Sequence, residues 1–372
     1  MPSYEYIIQK GGFWSEKWTG KKDPHWFECK KDIMPKIEFY GELEENRAMS
    51  NCIVETKMGN VNPDVKECIE LVKKFFIKTI HPDAKLIYIV GGYKGENDKP
   101  WRKNLKNNLL KRYKSDRTVV GIVKWGKIAT LLYPDLKIIH YPIDAANIWP
   151  IGNVLAYMHS KMAKNIPNQK LPMTICIGHS LGAHLCGFFG KMLKRLKSPI
   201  HLNRIIGLDP AGPIFQNIRQ APALRLEKSD AFHLEVIHTN ANSYGFNKPI
   251  GHRDIYVNGG SKQPWCPEVS LDSQCSHHYA SLLMVNLAEP SNEKTQCTAR
   301  WKCKSKAYQE LETVIEEDIA TLKTVGCTQQ YQNDVLRIGD LNKIGDINNM
   351  KEGVFWVEAG EKSETCTFPI PK

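Results

Sequence analysis

Short apolar runs alternate with amphipathic stretches along the chain from Ile37 onward. Runs rich in Ile, Val and Leu at 37–41, 85–91, 118–124, 172–177, 203–209, 232–238 and 253–257 predict strands. Apolar positions recurring at helical spacing predict helices over 65–79, 101–114, 150–163 and 183–196. Strand and helix in alternation predict an α/β protein with a mostly parallel central sheet and helices on both faces. Residues 305–324 repeat the helical pattern, with Leu311, Val314, Ile315, Ile319 and Leu322 on one face, and Val354–Val357 reads as a final strand. Residues 1–35 carry Trp14, Trp18 and Trp26 without period and read as an irregular arm. No repeat or linker divides residues 36–372, which read as a single domain.

Composition changes this picture little. The 372 residues are 42% hydrophobic and 24% charged, ordinary for a globular chain. No apolar run reaches membrane-spanning length. Met1-Pro2-Ser3-Tyr4-Glu5-Tyr6 lacks the apolar core of a signal peptide, so either the chain is cytoplasmic or its signal lies outside this sequence. The eleven cysteines favour the second option and a secreted or lumenal protein. Cys266 with Cys275, Cys297 with Cys303, and Cys327 with Cys366 fall in loop-like or terminal contexts and look like disulfide partners. Cys176 and Cys186 fall in a strand and a helix and are expected to be buried free thiols.

The formal net charge is +11, and Lys99–Arg117 holds eight Lys/Arg against one Asp. Helical spacing places most of these charges opposite the apolar stripe. They form either a solvated face or a surface attracted to anionic lipid. No nucleic-acid-binding motif accompanies the charge, which argues against a nucleic-acid partner.

The candidate chemistry centres on Gly178-His179-Ser180-Leu181-Gly182, set between an apolar strand and a helix. That is the context of a nucleophile elbow, a sharp turn that lifts a serine hydroxyl above the sheet edge. It leaves the Leu181 amide free at a helix N-terminus, where negative charge is favoured. A serine needs a base, and the base needs a carboxylate to orient it. Asp209 ends the strand at 203–209, is followed by Pro210-Ala211-Gly212, and points toward the crevice above the sheet.

Gly-His-Ser-Leu-Gly-Ala-His at 178–184 and Gly-Leu-Asp-Pro-Ala-Gly-Pro at 207–213 resemble the pancreatic lipase family. Val-Ile-His-Thr at 236–239, Gly-His-Arg-Asp-Ile-Tyr-Val-Asn-Gly-Gly at 251–260, Gln263-Pro264 and Cys275-Ser276-His277 strengthen the resemblance. It implies the α/β-hydrolase fold and hydrolysis of carboxylic esters at a lipid interface by Ser180, Asp209 and His277. Spacing alone leaves His278 as an alternative base. His238 and His252 match non-catalytic positions of the family. The resemblance gives the oxyanion hole to the amides of Leu181 and Tyr93. This chain has Gly91 where the family has His, which removes a side chain that would brace the Tyr93 loop.

The family brackets its lid with two cysteines, here Cys266 and Cys275, which enclose only eight residues. Such a lid is too short for a helical flap and is similar to that of the phospholipase A1 branch. Trp265 beside it could dip into the lipid interface. A neutral lipase acting on acylglycerols or galactolipids is the alternative, and a non-catalytic protein like insect yolk proteins is a third. No cofactor is required by this chemistry. Glu227 and Asp230 resemble a family calcium loop, with a metal-free acidic turn the simpler reading. The family's C-terminal β-sandwich is not in this sequence, so colipase is not an expected partner.

Overall fold

The computed structural model describes residues 36–44, 47–48, 52–57, 60–61, 70, 72–77, 83–93, 100–114, 117–125, 140–164, 166, 171–197, 201–216, 222–241, 243–264, 266, 274–290, 298–301, 335–337 and 353–357. The arm at 1–35, the helix predicted at 305–324, Trp265, and the pairs Cys297/Cys303 and Cys327/Cys366 lie outside them.

Among the described residues, seven strands run parallel. They are β6 (Lys85–Val90), β7 (Thr118–Lys124), β8 (Met173–His179), β9 (Arg204–Leu208), β10 (His233–His238), β11 (Arg253–Val257) and β14 (Gly353–Val357). Antiparallel strands extend both edges. On one side are β1 (Lys36–Tyr40), β4 (Cys52–Lys57) and β5 (Asn60–Val61). On the other are β12 (Thr298–Trp301) and β13 (Val335–Arg337). A separate small hairpin pairs β2 (Glu42–Glu44) with β3 (Arg47–Ala48). The order across the sheet is β13-β12-β14-β11-β10-β9-β8-β6-β7-β1-β4-β5.

The central strands are buried on both faces, and their residues divide strictly. Leu86, Tyr88 and Val90 of β6 enter one core, while Ile87 and Ile89 enter the other. The first core is closed by α2 (His140–Ala163) and α3 (Leu181–Arg195), through residues such as Leu155, Leu185, Phe188 and Phe189. The second is closed by α1 (Pro100–Tyr113) and α4 (Gln274–Leu287), through Leu105, Leu109, Leu283 and Met284. Each such side chain removed from water contributes about 1.5–3 kcal/mol. This is the α/β-hydrolase arrangement.

Several expected boundaries move. The elbow is tighter than the pattern suggests, because β8 continues through His179 and α3 starts at Leu181. Helix α2 begins ten residues before Pro150, which sits inside it. The proline removes one intrahelical bond, but burial of Ile143, Ala145, Ala146 and Ile148 holds the earlier turns in place. Strands β4, β12 and β13 and helix α4 are not evident in the pattern. Cys176 and Cys186 are not free thiols. They form a disulfide across the elbow, because the sharp turn brings the first turns of α3 back beside β8, with Cα atoms 5.8 Å apart.

Candidate active site

The strand order reverses direction between β6 and β8. The chain leaves β6 toward β7 on one side, then returns to place β8 on the other. Beyond the C-terminal ends of strands at such a switch point lies the natural crevice of an open parallel sheet. Ser180 follows β8, and Gly91-Gly92-Tyr93 follows β6.

Ser180 has φ 56° and ψ −121°, a conformation rarely adopted by a non-glycine residue. The surroundings impose it. A Cβ on Gly178 would stand 2.3 Å from the Gly182 carbonyl oxygen, and a Cβ on Gly182 would stand 2.5 Å from that of Val90. The turn therefore closes only with glycine at both positions. The Ser180 amide donates to the Leu208 carbonyl of β9 (3.0 Å). The loop after β6 is equally close, since a Cβ on Gly92 would lie 2.8 Å from that of Ser180. With Gly91 in place of histidine, the brace comes from elsewhere: the Trp125 indole donates to the Gly91 carbonyl (2.9 Å). Tyr93 packs edge-on against Tyr141, ring centroids 5.5 Å apart.

Asp209 lies beyond β9 with φ 42°, and its carboxylate is fully buried. Oδ1 accepts from the backbone amides of Thr239 (2.8 Å) and Asn240 (3.0 Å). Oδ2 bonds His277 Nδ1 at 2.5 Å. The short loop after β10 thus wraps the acid, and a Cβ on Gly245 would collide with the carboxylate at 2.5 Å. A second buried pair fastens this loop. His238 bonds Asp254 Oδ1 (2.8 Å) through Nε2 and the Phe246 carbonyl (3.0 Å) through Nδ1. Asp254 also accepts from the amides of Ile250 and Gly251. His252 accepts from the Leu234 amide, so neither His238 nor His252 reaches the crevice chemistry.

His277 sits in the first turn of α4, 7% exposed. The structure brings this histidine to Asp209, while the neighbouring His278 ring packs 5.2 Å from His179. The turn is anchored by the disulfide Cys266–Cys275 and by Ser276 Oγ, which accepts from the Gln263 amide (3.0 Å). The Gln263 side chain in turn donates to the carbonyls of Thr239 and Val257 (3.0 Å each), tying α4 to the loop around Asp209. The side of α3 is held by His184. Its Nδ1 accepts from the Leu226 amide and its Nε2–H donates to the Ala211 carbonyl. Burial pushes the pKa of this histidine down to about 3, so it stays neutral. Asn240 and Gly245 carry no mark of function in the sequence, and Thr239 and Gln263 enter it only within the family resemblance, because all four act around Asp209 through contacts between distant segments.

Glu227 and Asp230 do not present an open cation site. Lys191 Nζ already bonds both, at 2.8 Å and 2.5 Å. Burial pushes the Asp230 carboxyl up to about 7, and its Oδ2 accepts from the Glu227 amide. Calcium takes six to eight oxygen ligands. Two carboxylates closed around an ammonium group do not fit it. Among the described residues, no group of three or more His, Cys, Asp or Glu is placed to hold a metal ion. None of the described helices is long and apolar enough to cross a membrane.

A sequence model of the lipase family matches residues 62–282, more than half of the chain. The chain belongs to the lipase family. It is 39% identical over 148 residues to a phospholipase A1 of Vespula squamosa, covering 40% of this chain and 48% of that one. A phospholipase A1 of Vespula maculifrons is 33% identical over 213 residues, covering 55% and 68%. Lipase member H of Rattus norvegicus is 29% identical over 224 residues, covering 59% and 45%. The chain spans about half the length of most of these lipase relatives.

Proposed function

We infer that this lipase-family chain hydrolyses carboxylic esters of lipids. The observation that supports it most is the 2.5 Å bond from His277 to Asp209 beside the strained Ser180. In this reading His277 Nε2 takes the Ser180 proton as Oγ attacks the ester carbonyl. Asp209 holds the Nδ1–H, fixing the tautomer and stabilising the imidazolium that forms. The amides of Leu181 and Tyr93 receive the oxyanion. His277 then returns the proton to the leaving alcohol, and water releases the acid from Ser180. Each of these steps proceeds with side chains, backbone amides and water.

The substrate favoured is phospholipid, with release of a fatty acid in phospholipase A1 fashion. Two wasp relatives carry that name. The eight residues between the bridged Cys266 and Cys275 are too few to cap an apolar cleft. The exposed Lys103, Lys111 and Lys114 on and just after α1 leave a positive surface suited to anionic lipid. The rest of the basic segment is partly committed inside the fold. Arg102 and Arg112 bond backbone carbonyls, and Lys106 stacks on Tyr40. The two disulfides suit an oxidising, extracellular setting.

Purified protein and its Ser180→Ala variant are to be assayed on phosphatidylcholine, phosphatidylserine and triolein, with product positions identified. Phospholipid turnover that vanishes in the variant is the expected result. A triolein rate well above the phospholipid rate selects a neutral lipase instead, and a variant retaining a tenth of the wild-type rate rules out serine chemistry here.

A further inference from the structure

The residue before the nucleophile is free to vary in a Gly-x-Ser-x-Gly elbow, where only the small flanking positions are constrained by the turn. In this chain it is His179, and it is fully buried. Its side chain touches the base. Nε2 lies 3.0 Å from the main-chain carbonyl oxygen of His277, 98 positions further along the chain. A carbonyl can only accept, so Nε2 carries the proton and donates it. The His179 ring also packs against the His277 ring, centroids 4.6 Å apart and tilted by 45°. Further neighbours come from three directions. His278 lies 5.2 Å away on α4, Trp101 meets it edge-on at 6.1 Å from α1, and the Gly92 position approaches Nδ1 from the loop after β6.

Serine catalysis depends on the distance and angle between two side chains delivered by different elements, and errors near 1 Å cost about a hundredfold. Asp209 fixes the rotation of the His277 ring but belongs to the end of β9. The position of the α4 turn relative to Ser180 needs its own restraint. His179 supplies one from the covalent neighbour of the nucleophile itself. We propose that His179 is a positioning residue. Its Nε2–H grips the His277 main chain and its ring packs on the imidazole, so the segment bearing Ser180 sets where the base stands. This rests on Ser180 and His277 being nucleophile and base.

The test uses His179→Gln, which keeps an N–H donor of similar reach, against His179→Phe, which keeps a ring and loses the donor. His179→Asn, too short to reach the carbonyl, stands in should the Phe variant not fold. Ser180→Ala is run beside them. The kcat and KM on a soluble short-chain p-nitrophenyl ester are measured with the melting temperature of each protein. The Phe or Asn variant is expected to lose tenfold or more in kcat with KM within about twofold. The Gln variant is expected to recover most of the kcat. If Ser180→Ala is inactive and the donor-less variant keeps kcat within twofold of wild type, His179 does not position the base. Equal losses in the Gln and donor-less variants overturn the role of the hydrogen bond. An active Ser180→Ala protein overturns instead the serine reading on which the proposal stands.

Discussion

Gly245 stands against the carboxylate of Asp209 with no room for even a methyl group, since an added Cβ would lie 2.5–2.7 Å from all three carboxylate atoms. A glycine in the loop after β10 therefore decides where the acid of the candidate triad can rest. Gly245→Ala is expected to displace Asp209 from His277 and lower kcat about a hundredfold. Steady-state kinetics with circular dichroism checks this, and full activity in a folded variant would contradict it.

Asp209→Asn tests the same contact chemically. The Thr239 and Asn240 amides can still bond an amide oxygen, so the fold is expected to survive. An amide nitrogen facing Nδ1 favours the wrong imidazole tautomer, and kcat should fall about a thousandfold or more. His277→Ala should match that loss, while His278→Ala should keep far more of the activity. The reverse order would move the base to His278.

Acid should destabilise the fold. Burial lowers His159 and His184 to about 3 and His233 to about 2. In the unfolded chain each takes up a proton near pH 6.5. Between that pH and about 3 the unfolded state binds more protons, so stability falls as pH falls, by about 1.4 kcal/mol per pH unit for each histidine. Asp230 acts in the opposite sense. Its native carboxyl, pushed up to about 7, keeps a proton that the unfolded residue loses near 3.8, so it offsets one histidine across that range. Calorimetry from pH 7 to pH 4.5 should show a falling melting temperature. A flat profile would show that these rings gain protons without unfolding.

Lys191 acts as the internal counter-ion of Glu227 and Asp230. Lys191→Met removes the hydrogen-bond donor shared by the two carboxyl groups and should lower the melting temperature. Calcium is then expected to raise the melting temperature of the variant but not of the wild type, whose activity should be indifferent to a chelator. A wild-type protein inactivated by chelation would contradict this arrangement.

Removing the bridge at the elbow by Cys176→Ala with Cys186→Ala should lower stability by about 2–3 kcal/mol, the loop-closure effect expected for its 10-residue separation. Denaturant midpoints measure it. No change would indicate that the two sulfurs are not bonded in solution.

The parts of the fold legible in the sequence are those whose burial writes a period into the chain. The central strands from β6 to β11 are buried along their length and appear as short runs rich in Ile, Val and Leu, and β7 and β11 keep the boundaries read from them. Helix α4 is harder to read. Its apolar positions Tyr279, Leu283 and Leu287 do recur at helical spacing, but the cysteine-bracketed segment before them and the paired His277-His278 read as loop. Ser180 and Asp209 are legible through turn chemistry at strand ends. Gly245 and Lys191 leave no local mark, since each takes its meaning from a segment distant in sequence.

Among the described residues two disulfides clasp the site, one across the turn that carries Ser180 and one at the first turn of α4, which carries His277. Under the proposed function, chemical maturation and catalytic competence are thereby linked. A chain synthesised where thiols stay reduced would contain every side chain of the proposed triad while lacking both clasps on the turns that present them. Recombinant production calls for an oxidising host compartment or oxidative refolding, and thiol quantification should accompany every activity measurement.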